Sequence, residues 1–184
     1  MGNVQIIKVE PLTEEAFEPY GEILNDKGVT PDFKGGGKSQ SWSVDFEADG
    51  RVLVMASKNP FQGLAFKKME RHFSHTQTFI PLSGSPALVA VAPPTDPNNR
   101  EDIPNPEQVR AFLIDGTKGY MLKRGTWHTL DRFPLYPPGA VYVVLATHEN
   151  NEDLRLAYAG QGGFKLSQEV DFEAKLGVSF EMVL

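Results

Sequence analysis

Short apolar runs separated by polar turns extend along most of the chain. From residue 41 onward the runs are rich in β-branched and aromatic side chains and are bounded by Gly, Pro, Asn and Asp, which is typical of β-strands. Because many short strands follow one another, the pattern favours an antiparallel sandwich or barrel over a parallel α/β sheet. The predicted strands span residues 4–9, 42–46, 52–57, 64–73, 76–81, 87–92, 109–114, 120–123, 141–147, 154–159 and 178–183.

Two short helices and three loops complete the predicted elements. Residues 13–17 are predicted to form a helix, because Thr13 is a good N-cap and two glutamates follow it. A second short helix is predicted over residues 167–175, with Ser167 as its cap and Gly177 as its end. Glycine, proline and charged residues are frequent in the three predicted loops, which span residues 25–41, 93–106 and 129–138.

The composition is that of an ordinary globular protein, with 40% hydrophobic and 23% charged residues. At 184 residues, without repeats or a linker-like segment, the chain fits a single domain, 1–184. A net charge of -6 without a dense Lys/Arg run argues against nucleic acid and anionic membranes as partners, but it allows a small anionic substrate. The absence of cysteine excludes disulfides, thiolate metal sites and cysteine nucleophiles.

The chain also carries indications of a cytoplasmic location. Residues 1–6 lack the basic and apolar segments of a secretory signal peptide, so none is expected. No apolar run approaches the roughly 20 residues that a membrane-spanning helix needs. The lack of cysteine is compatible with the reducing environment of the cytoplasm.

The first segment with chemical potential contains two of the four histidines and runs from residue 70 to residue 77. If residues 64–73 form a strand, alternation places Glu70 and His72 on one face. Gln77 begins the next strand and can return to the same interior. A carboxylate, an imidazole and an amide oxygen form a credible partial shell for a borderline divalent metal.

The second segment is a strand that runs into a glycine turn and then reaches a histidine. A turn at Gly125 lets the chain double back and present His128 toward the barrel. Lys123 lies two residues before this turn. It can bind a substrate carboxylate near the pocket, or it can be a solvated lysine at a strand end.

Neighbouring residues have plainer interpretations. Arg71 faces opposite to His72, so we expect it at the surface or in a dimer contact. His75 is expected to be exposed in a turn, and His148 in a surface loop. Trp127 is expected to pack in the core or the pocket wall.

The spacing of the two segments resembles the two motifs of the cupin superfamily. The first cupin motif has ligands at H-x-H, a glutamate after three or four residues, then six residues and a glycine. This chain has Glu70-x-His72, four residues, Gln77, six residues and Gly84. The spacing of the motif is therefore kept, while Glu70 replaces its first histidine and Gln77 its glutamate. The second motif ends in P-x-G-x-x-H, and residues 123–128 keep all of it except the proline.

The amino-acid sequence of these segments resembles that of the ureidoglycolate lyase family, which lies within the cupin superfamily. The matching segments, within about residues 4–150, are VEPLTEEAFEPYG (9–21), MERH (69–72), TQTFIPLSG (76–84), VRAF (109–112) and KRGTWH (123–128). The chain departs from the family after His128, where residues 129–138 intervene, and in the longer loop 93–106. Both loops border the expected barrel mouth, which bears on the identity of the substrate.

The resemblance implies a cupin-like β-barrel that cleaves ureidoglycolate to glyoxylate and urea. It implies a divalent metal such as nickel, a homodimer and a small-molecule substrate. His72 and His128 are the candidate acid/base pair, with Glu70 as a further catalytic group and with Lys123 and Gln77 as substrate contacts. If a metal is bound, its ligands are Glu70, His72, Gln77 and His128.

Two alternatives stay open at this point. The chain can be a cupin enzyme acting on another small hydroxy or keto acid, as an isomerase or a dioxygenase. It can also be a cupin that binds a metabolite without catalysis.

Overall fold

The structure is a computed structural model that describes residues 2–26, 28 and 30–184. Met1, within the segment tested for a signal peptide, and Lys27 and Val29, within the predicted loop 25–41, lie outside the described residues. The strands are β1 (Asn3–Pro11), β2 (Gly21–Leu24), β3 (Phe33–Lys34), β4 (Gln40–Ser41), β5 (Val52–Pro60), β6 (Ala65–Phe66), β7 (Lys68–His72), β8 (Gln77–Pro81), β9 (Ala87–Ala92), β10 (Arg110–Ile114), β11 (Gly119–Leu122), β12 (Trp127–Thr129), β13 (Phe133–Pro134), β14 (Gly139–Thr147), β15 (Ser167–Asp171) and β16 (Val178–Val183). The helices are α1 (Glu14–Phe17), α2 (His148–Tyr158), α3 (Phe172–Leu176) and a 3-10 turn, Pro106–Gln108.

Most strands belong to two sheets that curl around a common interior. The nine-stranded sheet has the order β15-β7-β12-β9-β10-β1-β16-β6, with β13 paired to β9, and the five-stranded sheet has the order β2-β11-β8-β14-β5. Neighbouring strands are antiparallel except that β1 runs parallel to β10 and to β16. The structure thus confirms a mostly β, cupin-like barrel, although these two parallel pairs depart from the purely antiparallel sheet that the sequence predicts.

Two apolar cores lie on opposite faces of the larger sheet. Strand β9 contributes to both because its side chains alternate: Val89 and Val91 point into the first core and Leu88 into the second. All six residues of β9 are buried, which explains why this strand is a continuous apolar run. The first core also contains residues of the five-stranded sheet, so the two sheets pack face to face around it.

Several element predictions are confirmed. Strands β9 and β16 have the predicted bounds, and most other predicted strands are present with shifted ends. Helix α1 begins as expected, since the Thr13 hydroxyl accepts a hydrogen bond from the Ala16 amide at 3.3 Å. The predicted loop 93–106 has no strand. Within the described part of the chain, no helix is long and apolar enough to cross a membrane.

The strand predicted over residues 42–46 is wrong. This segment belongs to none of the described strands, and its residues alternate between exposed and half-buried positions at the surface. Part of its backbone bonding goes to a side chain instead of a ladder, because the Ser43 amide donates to Asp32 Oδ2 at 2.7 Å.

The strand predicted over residues 154–159 is also wrong, because this segment is the second half of helix α2. The Thr147 hydroxyl caps the helix by accepting from the Asn150 amide at 3.3 Å. His148 therefore begins a helix and does not lie in a loop. Leu154 and Tyr158 suggest alternation, but they are also spaced as one helix face.

The helix predicted over residues 167–175 divides into strand β15 followed by helix α3. Ser167 is not a cap, because it pairs with His72 in the ladder between β15 and β7. Asp171 is the N-cap instead, and its Oδ1 accepts from the Ala174 amide at 2.9 Å. Gly177 ends the helix as predicted, with φ at 69° in the left-handed region that glycine adopts readily.

Candidate active site

Two neighbouring strands bring together the residues that the first and second segments predicted. His128 on β12 lies directly opposite Glu70 on β7, and His72 follows on the same face of β7. Ligand atoms of these three residues all lie within 4.8 Å of one another, and all three side chains are buried. We call these three residues the Glu-His-His cluster.

The glycine turn sets the position of β12 relative to β7. The Gly125 amide donates to the His72 carbonyl at 2.8 Å, which ties the turn to the end of β7. Gly125 has φ at 77°, a conformation in which other residues are strained. The turn therefore directs His128 back into the barrel, as the sequence predicted.

The distances within the cluster fit a proton-sharing or metal-binding group. His72 Nε2 is 3.8 Å from Glu70 Oε1, and His128 Nδ1 is 4.0 Å from the same oxygen. The ring centroids of the two histidines are 5.2 Å apart. None of these distances is short enough for a direct hydrogen bond. The polar atoms of the cluster therefore keep hydrogen-bonding capacity for a further group between them.

Backbone bonding fixes the tautomer of His128. Its Nδ1 lies 3.0 Å from the Thr129 carbonyl oxygen, which can only accept, so Nδ1 carries the hydrogen. Nε2 of His128 then has its lone pair available, and it is buried without a hydrogen-bond partner. Buried polar atoms are rarely unpartnered, so this nitrogen is a strong indication of a ligand or substrate.

His72 is held by a residue of helix α2. The Asn150 side-chain amide nitrogen donates to His72 Nδ1 at 3.3 Å, so the hydrogen of the neutral ring lies on Nε2, which is buried without a partner. Asn150 lies in the first turn of α2 and is buried, so the helix cap aims it at the cluster. Sequence reasoning missed Asn150, because residues 149–153 are a polar run that is typical of a surface loop.

Burial dominates the electrostatics of the cluster. It raises the pKa of Glu70 to about 8, although the positive charge of Arg132 acts in the opposite direction. It lowers the pKa of His128 to about 3, with Arg132 contributing, and it lowers the pKa of His72 well below its usual value. At neutral pH both imidazoles are therefore uncharged and the carboxyl group retains its proton.

These residues fit a divalent metal. Imidazoles are ligands of borderline transition metals, with His128 offering an available Nε2, and the Glu70 carboxyl becomes a ligand when a bound cation displaces its proton. Gln77 on β8 supplies a possible fourth ligand atom, since its Oε1 is buried without a partner. Alternation from Phe79, which belongs to the first core, places Gln77 on the inner face of β8. All four metal ligands expected from the sequence thus lie on inner faces of the barrel.

A buried arginine that the sequence analysis missed lies in the same interior. Arg132 Cζ is 3.8 Å from the centroid of the Phe79 ring, and that ring centroid is 6.4 Å from the ring of His128. Arg132 belongs to the predicted loop 129–138, and a charged residue in a loop is normally a surface residue. The only sequence signal was that this loop borders the barrel mouth.

Lys123 is not brought to the cluster. Its Nζ donates to Glu18 Oε1 at 2.9 Å and also to the Glu18 carbonyl. The lysine side chain is 42% exposed. This is the solvated strand-end position that the sequence left open as the alternative to a carboxylate anchor.

The expected exposure of His75 is wrong. His75 is 1% exposed, and its ring stacks on that of His72 at a centroid distance of 5.2 Å. Its Nδ1 is 3.2 Å from the Ser74 hydroxyl, while Nε2 is buried without a partner. The segment carrying His75 forms an antiparallel bridge with Ala48, a contact across the sequence that no local pattern indicates.

The expected surface position of Arg71 is also wrong. Arg71 is fully buried and donates to the Thr95 carbonyl of the loop 93–106 at 2.8 Å and to Gln168 Oε1 of β15 at 2.7 Å. Its guanidinium carbon lies 4.6 Å from the Trp127 ring. Trp127 is a core residue, as predicted.

Comparison with known proteins identifies relatives across most of the chain. The sequence model of the family described as ureidoglycolate lyase matches residues 4–164. The ureidoglycolate lyase of Azotobacter vinelandii is 32% identical over 167 residues, covering 86% of this chain and 89% of the relative. That of Pseudomonas paraeruginosa is 33% identical over 132 residues, and that of Brucella anthropi 35% over 137 residues; each alignment covers 68% of this chain and 75% of the relative.

Among solved structures, RmlC from Streptococcus suis in complex with dTDP-D-xylose is similar over 56% of this chain and 48% of its own. The TM-score is 0.31 and the sequence identity 13%, which is too limited an overlap to bear on function. The sequence relatives are decisive, because the family match covers most of the chain and includes both segments of the Glu-His-His cluster. This chain therefore belongs to the ureidoglycolate lyase family.

Proposed function

We propose that this protein is a ureidoglycolate lyase, which cleaves ureidoglycolate to glyoxylate and urea in the breakdown of allantoin and purines. The observation that carries the proposal is the buried Glu-His-His cluster, with two imidazole nitrogens that lack partners. Its residues occupy the segments by which the chain resembles the family, and several relatives bear that name.

The reaction needs two proton movements. Ureidoglycolate carries a hydroxyl, a ureido nitrogen and a carboxylate around one carbon. The hydroxyl loses its proton as the carbonyl of glyoxylate forms, the C–N bond breaks, and the departing urea nitrogen gains a proton. A base, an acid and an anchor for the carboxylate meet these requirements.

The cluster offers both a base and an acid. His128 Nε2 has an available lone pair and accepts the hydroxyl proton, while Nδ1–H stays bonded to the Thr129 carbonyl. Glu70, with its pKa raised to about 8, holds a proton at neutral pH and donates it to the urea nitrogen. His72 is held by Asn150 and contacts the substrate through Nε2.

A divalent metal is a further part of the proposal, and its ligands would be Glu70, His72, Gln77 and His128. When bound, the ion supplies Lewis-acid chemistry that lowers the pKa of the substrate hydroxyl. The two imidazoles then serve as ligands and not as proton carriers. Activity measured with a chelator distinguishes the metal-free acid/base site from the metal-bound site.

The test is an assay of purified protein with racemic ureidoglycolate, scoring glyoxylate, urea and ammonia before and after EDTA. We expect glyoxylate and urea in equal amounts, and loss of activity in EDTA that is restored by a divalent ion if the metal form holds. The matched histidine variants are His72→Ala within the cluster and His148→Ala outside it. Glyoxylate with ammonia and no urea, or no turnover beyond the spontaneous rate, would contradict the proposal.

The homodimer and the cytoplasmic location belong to the same proposal. Support for a homodimer comes from β5, an edge strand on which Val52 and Val54 are exposed. Sedimentation equilibrium of the wild type and of Val54→Lys measures the mass in solution. A monomer at micromolar concentration would contradict the dimer, and fractionation of cells tests the location.

A further inference from the structure

Arg132 is a buried cation, and one nitrogen of its guanidinium has no hydrogen-bond partner. The side chain is 1% exposed, and its backbone amide donates to Asn59 Oδ1 at 2.8 Å. Nη1 donates to the Thr129 carbonyl at 2.7 Å and to the Asp131 carbonyl at 3.1 Å, and Nε donates to the Tyr120 hydroxyl. Nη2 is buried and has no partner.

The charge of Arg132 is also unmatched within the described part of the chain. No ion pair joins its guanidinium to a described carboxylate, and Glu70 makes no hydrogen bond to it. Its partners are carbonyl and hydroxyl groups, which orient a guanidinium but do not neutralise it. A buried cation without a counter-ion is strongly unfavourable, so an anion that joins it from outside would relieve this cost.

A second buried donor belongs to a residue that packs against the same Phe79 ring as Arg132. The Tyr142 hydroxyl on β14 is buried without a partner, and the Tyr142 and Phe79 ring centroids are 6.3 Å apart. The Arg132 guanidinium stacks on the same Phe79 ring. Arg132 is near enough to Tyr142 to oppose the rise that burial causes in the pKa of its hydroxyl. Two unpartnered donors thus flank one aromatic ring that also borders His128.

We propose that Arg132 Nη2 and the Tyr142 hydroxyl form the subsite that binds the carboxylate of the substrate, an α-hydroxy or α-keto acid. The two oxygens of a carboxylate accept one hydrogen bond from each donor, and the guanidinium supplies the missing charge balance. The identity of the substrate rests on the proposed function. Lys123 has no part in this subsite, because Glu18 already neutralises its ammonium group.

The subsite explains how the reacting carbon is placed. In ureidoglycolate the carboxylate is bonded directly to the carbon that carries the hydroxyl and the ureido nitrogen. Fixing the carboxylate on Arg132 at the Phe79 ring holds that carbon at the side of the barrel where His128 lies. An analogue in which an uncharged amide replaces the carboxylate would leave the charge of Arg132 unpaired and would bind weakly.

The test measures binding of glyoxylate and of its uncharged analogue glyoxylamide by calorimetry, together with KM and kcat for ureidoglycolate. The variants are Arg132→Gln, Arg132→Lys and Tyr142→Phe, with Lys123→Gln as the control that removes an exposed cation. We expect Arg132→Gln to raise the Kd of glyoxylate at least about 30-fold, because it removes a charged hydrogen-bond donor. Arg132→Lys and Tyr142→Phe should raise it by smaller factors, and Lys123→Gln should leave it unchanged.

The outcomes of these measurements distinguish failure of the carboxylate subsite from failure of the proposed lyase function. Turnover of ureidoglycolate with an unchanged KM in Arg132→Gln overturns the subsite and leaves the lyase proposal standing. Arg132-dependent glyoxylate binding without turnover of ureidoglycolate supports the subsite and overturns the lyase proposal. If Arg132→Gln does not fold, Arg132→Lys and Tyr142→Phe decide, and a wild-type Kd in both overturns the subsite. Equal affinity of the wild type for glyoxylate and glyoxylamide also overturns it.

Discussion

Replacing Arg71 by alanine tests whether a buried arginine secures the long loop 93–106 over the barrel. Its guanidinium makes five hydrogen bonds, to Gln168 Oε1, the Thr95 carbonyl and hydroxyl, and the Asp96 carbonyl, at 2.7 to 3.2 Å. It also stacks on Trp127, with Cζ 4.6 Å from the ring centroid.

The magnitude follows from these contacts. Five hydrogen bonds at a net value of about 1 kcal/mol each would give about 5 kcal/mol. The cost of burying the cation, which the variant no longer has, offsets part of this sum. The cation–π contact adds roughly 1 kcal/mol. We therefore expect Arg71→Ala to lower the free energy of unfolding by about 3–5 kcal/mol.

The assay is urea unfolding followed by tryptophan fluorescence and circular dichroism. Arg155→Ala is the matched control, because Arg155 is 59% exposed and its ion-pair partner among the described residues is Glu152 on the surface of α2. The control should cost less than about 1 kcal/mol. Arg71→Lys should recover only part of the loss, since one ammonium group cannot reach Gln168 and Thr95 together. A loss in Arg71→Ala no larger than in Arg155→Ala would show that Arg71 does not secure the loop 93–106.

Three further predictions concern the site. His72→Ala and His128→Ala should each lower kcat/KM by about a thousandfold while the circular dichroism spectrum stays that of the wild type; wild-type activity in either would remove that histidine from the site. Gln77→Ala should weaken divalent-ion binding, measured by calorimetry, by about 10-fold or more, and an unchanged affinity would exclude Gln77 as a ligand. Gly125→Ala should lower the free energy of unfolding by about 1–2 kcal/mol in a urea titration, because alanine is strained at φ 77°; a neutral effect would show that the turn tolerates side chains.

Sequence patterns predicted the features that depend on neighbouring residues, such as strand periodicity and glycine turns. Strand β9 is an uninterrupted apolar run between turns, and its bounds follow from that pattern. The alternation of β7 placed Glu70 and His72 on one face, and the spacing from Gly125 to His128 implied a turn back toward them. These features depend only on strand periodicity and on the conformational preference of glycine.

The remaining features depend on contacts between residues that are distant in the sequence. The sequence of helix α2 resembles that of a strand, because the apolar residues Leu154 and Leu156 alternate with polar or small residues. The N-cap at Thr147 is the local signal that indicates a helix instead. His75 and Arg132 are polar residues in turns, and the barrel buries both of them. Sequence patterns normally place such residues at the surface, so burial of a polar loop residue is visible only in the folded chain. In Arg132, this exception coincides with the proposed carboxylate subsite.

The proposed function requires that the Glu-His-His cluster converts ureidoglycolate to glyoxylate and urea. The most direct test follows carbon-13-labelled ureidoglycolate by NMR in parallel samples of the wild type and of His128→Ala. We expect glyoxylate hydrate and urea signals to grow in equal proportion with the wild type, and only at the spontaneous rate with the variant. Equal rates in the two samples, or glyoxylate without urea in the wild type, would contradict this function of the cluster.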